Sequence, residues 1–389
     1  MEHLGGSSKL LRAMNEAAAL GHVLNRGRLT RADLRDLTGL SKPTISDAFK
    51  RPTEAGLVTV VGHESGRPGP NAEIYAANPD AAYTVALSVR YSVPVTAAVC
   101  DFAGVVRGRL STPVDFTATD PVDAVDEVVG AVCVRAGVDR RRVSHVQLAV
   151  SGSYDPRTGV IHHVDVPGWS RQGLVADLYQ RLRTRVDVDN DVNLAAIAER
   201  ARGAAQDVDG FALLWIGESG LGLAIDLGGT LLRGARGGAG EIGYMPMVAP
   251  GGAQKVDFQD LVGSIAVQEL AREYGIHEPT AAGAMAAATS RIDEPARGFV
   301  AAFAERVAIG LAAVIAVLDP PLVVIGGDIG QAGGVPLRTA VSAALADAAP
   351  LETTIAATAL DDDAPLLGAV DAGLSAVRED ILATLRQPA

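Results

Sequence analysis

Cysteine is nearly absent from this chain: Cys100 and Cys133 are the two in 389 residues, and no C-x-x-C pair exists. That inventory excludes a disulfide framework and a cysteine zinc site, and it fits a reducing cytoplasm. Long apolar runs are missing too. The longest, Val307 to Leu318, stops at Asp319-Pro320-Pro321, short of the roughly 20 residues that span a bilayer. The opening MEHLGGSSKLLR has no apolar leader core, so neither secretion nor a membrane is expected. Histidine offers no metal set: His162-His163 reads as a solvated loop, with no nearby Cys or Glu to complete a site. What remains is 48% hydrophobic, enough for two or three domains with cores of their own.

Charge is distributed unevenly. The net charge is -12, yet residues 1–75 carry ten Lys and Arg against eight Asp and Glu, which leaves -14 for the rest. Any contact with nucleic acid is therefore expected at the front end. There, Thr30 to Lys50 has the rhythm of a helix-turn-helix. Thr30 can cap a first helix, with Asp33 closing a capping box. Gly39 relieves the turn, Ser41 can cap a second helix, and Pro43 is tolerated in its first turn. Ile45 and Phe49 face inward, leaving Lys42, Thr44, Ser46, Asp47 and Lys50 for a major groove. Pro52 is expected to shorten or kink this helix. Short strands at 56–61 and 72–76 flank a wing whose tip carries Arg67, placed for phosphate or a minor groove. An earlier helix near Leu10–Asn25 completes a winged helix-turn-helix. The alternative is a small helical domain that binds another protein.

Past Asn78-Pro79, strands and helices alternate. Three strands within 82–110 form a meander, followed by a helix at 121–137 and a buried strand at 143–150. Val186-Asp-Val-Asp189 precedes a helix at 192–202. A second meander spans 211–233, and Leu322-Val-Val-Ile325 is a further buried strand. Two halves that each open on a meander predict a duplicated α/β unit with a cleft between.

Five stretches carry a more specific likeness: Asp155-Pro-Arg-Thr-Gly159, Pro167-Gly-Trp169, Val188-Asp-Asn-Asp-Val-Asn193 with Glu199 downstream, Leu232 to Gly243, and Val323-Val-Ile-Gly-Gly327. In order and spacing the chain resembles the ROK family, named for repressors, open reading frames and kinases. The likeness covers essentially the whole chain, including the winged helix that the family's repressors carry and its kinases lack. It implies an α/β fold: a winged helix-turn-helix at 1–78, then a two-lobed actin-like ATPase domain. Its first lobe would be 79–195, joined by a C-terminal helix at about 365–387, and its second 196–364.

The same likeness raises the question of kinase chemistry, because Asp226-Leu-Gly-Gly-Thr230 spells the phosphate loop of sugar kinases of this fold. That loop belongs in the first meander, which here reads Leu87-Ser-Val-Arg-Tyr-Ser-Val-Pro94, with no Asp and no Gly pair. Backbone without glycine cannot approach phosphate closely, and no carboxylate is placed for magnesium. Asp226–Thr230 instead falls inside the second meander, with Gly228-Gly229 as a hairpin turn. At the second phosphate loop, Gly217-Glu-Ser-Gly220 would put the charge of Glu218 beside a polyphosphate.

The sugar side is better preserved. The resemblance implies that Asp191 stands where kinases of the family keep their base, beside Asn190, and that Glu241 and Gly152 match sugar-site positions. Asp165 stands where asparagine is usual, and Gln259 where a second glutamate is usual. The family's zinc ligands are missing: Tyr244 occupies the histidine position and residues 250–257 replace the cysteine loop, so no metal and no cofactor are expected. Tyr244 either bonds a ligand or packs. The expected function is a cytoplasmic DNA-binding regulator, a repressor acting as a homodimer or homotetramer on double-stranded operator DNA. A sugar or sugar derivative bound by Gly152, Asp165, Asn190, Asp191, Glu241, Tyr244 and Gln259 would control it, without catalysis. Alternatives are a sugar kinase with an added DNA-binding domain, or a regulator whose pocket no longer takes sugar.

Overall fold

The structure is a computed structural model that describes residues 4–64, 72–90, 93–248, 255–348, 352–360 and 363–387. The front module runs α1 (Leu4–Arg26), β1 (Arg28–Thr30), α2 (Arg31–Thr38), α3 (Lys42–Ala48), α4 (Lys50–Glu54), β2 (Val58–Glu64) and β3 (Ala72–Ala77). Thr30 and Asp33 form the capping box: the Asp33 carboxylate accepts the Thr30 N–H at 2.8 Å, and the Thr30 hydroxyl accepts the Asp33 N–H at 3.2 Å. Gly39, in left-handed backbone, ends α2, and Ser41 caps α3. Leu20, Val23, Leu34, Ile45 and Phe49 make the core, with Phe49 stacked on Tyr75 at 4.3 Å. β1 is a third strand beside β3 that the sequence reading lacks.

The second helix stops earlier than its pattern suggests. Pro52 has no N–H, and its ring opposes the carbonyl four residues back, Ala48. α3 therefore ends at Ala48, and the chain restarts as α4 beyond Phe49. Lys50 accordingly lies on α4 rather than on the recognition helix. Arg67, expected at a wing tip, lies outside the described residues.

The back part contains two five-stranded sheets of one design. The first uses β4 (Tyr83–Val89), β5 (Val95–Asp101) and β6 (Val106–Thr112) as an antiparallel meander, then β7 (Val143–Val150) and β10 (Arg185–Asn190) parallel to β4. Between these lie α5 (Pro121–Ala136), the hairpin β8 (Ser153–Asp155) and β9 (Val160–His162), and α6 (Leu174–Leu182); α7 (Asp191–Arg202) follows β10. The second sheet repeats the plan with β11 (Gly210–Ile216), β12 (Leu221–Leu227), β13 (Thr230–Leu231), β16 (Leu322–Gly326) and β17 (Thr354–Ala357). Their orders, β10-β7-β4-β5-β6 and β17-β16-β11-β12-β13, are the same. A hairpin, β14 (Pro246–Val248) with β15 (Lys255–Asp257), and helices α8 (Phe258–Val262), α9 (Ser264–Glu273), α10 (Ala281–Thr289) and α11 (Glu294–Leu318) precede β16. α12 (Gly327–Ala348) is kinked at Gly334, ahead of Pro336.

Gly228 (φ 63°) and Gly229 (φ 83°) turn the β12–β13 hairpin, the two positive angles a type I′ turn requires. Asp226 is consumed there: it pairs with Arg200 and accepts the Gly229 N–H at 2.9 Å. α11 is the one helix among the described residues long and apolar enough to cross a bilayer. Phe299, Phe303, Val307 and Leu311 on it are buried in the second-lobe core.

The last helix, α13 (Ala364–Leu385), returns to the first lobe and packs on α7, β4 and β7. Its other end meets the front module, where Arg51 of α4 donates to the carbonyls of Leu385 and Gln387, each at 3.0 Å. α7 and α13 cross closely because Gly368 has no side chain: a Cβ there would lie 1.6 Å from the Leu194 carbonyl oxygen. Gly368→Ala should therefore force the helices apart and destabilise the chain by about 1–3 kcal/mol, seen as a lowered midpoint in chemical denaturation. The half-buried control Gly21→Ala, inside α1 with nothing within 4 Å of the added carbon, should hold or raise its midpoint.

Candidate functional site

Parallel strands present their carboxyl ends along one edge, where α/β sheets place ligands. Val150 at the end of β7 pairs with Asn190 at the end of β10, so Ser151-Gly152 and Asn190-Asp191 lie side by side. Asn190 caps α7, accepting the N–H groups of Val192 (2.9 Å) and Asn193 (3.2 Å) and donating to the Gly152 carbonyl at 3.2 Å. A Cβ on Gly152 would stand 2.8 Å from the His162 carbonyl oxygen, so glycine lets the β8–β9 hairpin close on this edge. Asp191 is 5% exposed. Its carboxylate accepts the Ser151 hydroxyl at 2.7 Å and the Val192 N–H at 3.0 Å. Burial raises its pKa, against the opposing Ser151 hydrogen bond and the charge of Arg90.

The second lobe contributes the segment between β13 and α8. Gly240 (φ 87°) presses against β12, where a Cβ would lie 1.7 Å from the Leu223 oxygen, and this delivers Glu241 to the cleft. The Glu241 carboxylate accepts the hydroxyl of Ser153 from the opposite lobe. Tyr244 reaches across as well, its hydroxyl 3.2 Å from His163 Nδ1 and the two rings 5.1 Å apart. His163 holds φ 55°, a left-handed backbone that non-glycine residues seldom adopt. Burial, then the charges of Glu241, Asp165 and Asp257, raise the Tyr244 pKa. Gln259 accepts the Leu221 N–H at 3.0 Å and so ties α8 to β12.

Gly152, Asp165, Asn190, Asp191, Glu241, Tyr244 and Gln259 all line one cavity of about 310 Å³ between the lobes, a volume suited to a small ligand. Sequence reasoning missed Ser151, His163 and Trp215, which line it too. His163 was read as solvated loop; it is exposed, but at the cavity wall. Its backbone angle and its tyrosine partner leave no local trace in the sequence. Ser151, immediately before a site glycine, was the findable one.

On the side the resemblance assigns to nucleotide, the groups bind one another. Arg90, at the end of β4, sits 3.7 Å from Asp328 at the start of α12. Asp328 accepts the Glu218 N–H at 3.0 Å, and the Glu218 carboxylate accepts the Ala282 N–H of α10 at 2.6 Å. Glu218 thus closes a helix end as well as carrying charge. In the front module, Lys42, Thr44, Ser46 and Asp47 lie on α3 with none of them buried. The Thr44 hydroxyl is 2.8 Å from that of Ser41, and Asp47 pairs with Lys50 at 2.7 Å. Asp47 and Lys50 therefore offer a neutral pair rather than two independent charges.

A front winged-helix module followed by two actin-like lobes around a polar cleft defines the class. The ROK family pattern matches residues 95–373, and the chain belongs to the ROK family. It is 31% identical over 279 residues to the bifunctional enzyme NanE/NanK of Brucella suis biovar 1, covering 69% of this chain and 50% of the relative; the chain thus spans about half of that relative's length. A crystal structure described as a ROK family transcriptional regulator, homologue of the E. coli MLC protein, superposes with TM-score 0.76 at 19% identity, over 97% of this chain and 99% of the other. The ROK hexokinase of Thermus thermophilus superposes with TM-score 0.62 at 25% identity, covering 76% and 99%.

Asp191 has a sign that can be tested. Its folded pKa lies above the ordinary 3.8, so the folded chain binds the extra proton, and stability falls as pH rises from 3.8 through the raised value. Asp191→Asn removes that loss. Differential scanning calorimetry should show the variant melting a few degrees above wild type at neutral pH, with the gap closing as pH falls toward 4.

Proposed function

We propose that the chain is a cytoplasmic, sequence-specific DNA-binding regulator, a repressor that works as a homodimer or homotetramer without kinase activity. Residues 1–78 bind double-stranded operator DNA: α3 presents Lys42, Thr44, Ser46 and Asp47, Lys50 follows on α4, and Arg67 anchors from the wing. A sugar or sugar derivative in the cleft, held by Asp191, Asn190 and Glu241 among the cavity residues, shifts the angle between the lobes. It acts through its differential affinity for two arrangements of the chain. The observation that carries this reading is the contrast between the two ends of the cleft. Polar side chains from both lobes converge on an open cavity, whereas Arg90, Asp328 and Glu218 are tied to one another or to backbone. The full-length likeness to a structure described as a transcriptional regulator supports it.

A gel shift on DNA flanking the chain's own gene should show a retarded complex at fixed salt. Lys42→Ala with Arg67→Ala should weaken it about tenfold or more; an unchanged shift removes the assignment.

One observation favours a second reading. Asp191 is a buried carboxyl with a raised pKa, suited to a general base, and relatives include enzymes named as sugar kinases. Phosphoryl transfer depends chiefly on positioned phosphates and metal, which Arg90 and Glu218 do not provide. Sugar-dependent ATP turnover should be absent under saturating magnesium nucleotide. Turnover abolished by Asp191→Asn would make the chain a kinase.

A further inference from the structure

The cavity is polar and its charge is of one sign. Asp165, Asp191 and Glu241 line it, and no lysine or arginine does among the described residues. Their situations differ. The Asp191 carboxyl is buried and bonded by Ser151, and the Glu241 carboxylate accepts the Ser153 hydroxyl. Asp165 is exposed to the cavity mouth and accepts no hydrogen bond from any described residue. The nearest titratable ring on that wall, His163, is engaged by the Tyr244 hydroxyl. Arg90, whose charge reaches Asp191, is itself paired with Asp328. Asp165 and Glu241 thus bring two carboxyl groups to the site with no lysine or arginine among the described lining residues.

A second, independent group points to a ligand. Trp215 is 6% exposed and lines the same cavity, and its indole N–H donates to no described residue. That N–H is not among the sealed unpartnered donors of the described residues, so it stays open, and a hydroxyl of a bound polyol can accept its hydrogen bond.

Resting on the sugar-effector reading above, we propose that the cavity selects an unacetylated amino sugar, a polyol bearing a protonated amine, and that Asp165 is the selecting residue. The hydroxyls engage Asn190, Asp191, Glu241 and the Trp215 N–H, while the ammonium pairs with Asp165 in the field of Glu241. A phosphorylated sugar meets like charge and is rejected, since specificity is set by repulsion as much as by attraction. An N-acetyl group removes the cation and forfeits the pair.

The test is isothermal titration of the full chain at about pH 6.5, where a sugar amine is a cation. The probes are D-glucosamine, D-mannosamine and D-galactosamine, each beside its parent hexose and its N-acetyl and 6-phosphate derivatives. At least one amino sugar should bind about tenfold tighter than its parent and its N-acetyl form, with the 6-phosphates weakest and the preference shrinking as salt rises. Asp165→Asn, at an exposed and unpartnered position, should fold with an unchanged melting midpoint and lose the tenfold preference of the amino sugar over its parent hexose. Equal affinities, preference for an N-acetyl or phosphorylated sugar, or a preference that survives Asp165→Asn would each overturn the proposal while leaving sugar control standing. No binding by any probe would remove both.

Discussion

The carboxyl of Asp191, buried between two strand ends and held by the Ser151 hydroxyl, is the contact on which the cleft depends. An isolated carboxylate in that place would be costly. Three things make it tolerable: one hydroxyl donor, the Val192 N–H in the first turn of α7 and the distant charge of Arg90. Two of these follow directly from topology. β7 and β10 are parallel and in register, so their carboxyl ends, and the turns beyond, must meet. The helix that starts at Asp191 then runs away from the cleft, with its positive end toward the site.

That helix links the cleft to the rest of the chain. α7 lies against α13 with only Gly368 between the backbones. α13 in turn places Val377 and Leu385 in the same core as Leu20, Val23 and Phe49 of the front module. Arg51, on the helix that follows α3, holds the last carbonyls of α13 and also approaches Glu16 of α1 at 3.5 Å. From Asp191 to α3 there is one continuous line of packed elements, without an intervening loop. A shift of α7 must therefore be absorbed either by breaking the Gly368 crossing or by moving α13 and the module packed on it. Close-packed interiors favour the second, because they do not deform smoothly.

Features specified by neighbouring residues were legible in the sequence, and features specified by distant partners were not. Thr30 and Asp33 are three residues apart, and their capping box is present as read. The strand at Val143–Val150 matches because eight largely apolar residues between turn signals leave little choice. Asn190, Asp191 and Glu241 were legible because they sit inside motifs, whereas Gly152, Asp165, Tyr244 and Gln259 were placed by their distance from those motifs along the chain. By contrast, Pro52 was seen as a helix breaker, but its target four residues back placed the break at Phe49 and moved Lys50 onto another helix. Arg90 with Asp328, and His163 with Tyr244, join the two lobes across most of a domain's length of chain. Nothing in the spacing of either pair announces it. Glu218 was read as a charge unfavourable to phosphate, while its use as the partner of the α10 end depended on where α10 would start.

On the proposed reading, the segment from Glu241 to Tyr244 is where an effector gains its leverage. In the pattern the chain resembles, a metal fixes this segment, and structural zinc contributes on the order of 10 kcal/mol. Here Ile242 anchors the segment in the second-lobe core, and its side-chain tethers to the first lobe are Ser153 to Glu241 and His163 to Tyr244. Two hydrogen bonds at about 1 kcal/mol net each total about 2 kcal/mol across the cleft. A wall held that weakly leaves an open arrangement within reach of thermal population. A small molecule that bonds the same side chains can then shift the balance, because a differential affinity of a few kcal/mol is what a compact polar ligand supplies. A wall held by metal would stay closed whether or not the ligand was there, which serves chemistry on the ligand and hides its presence from the rest of the chain.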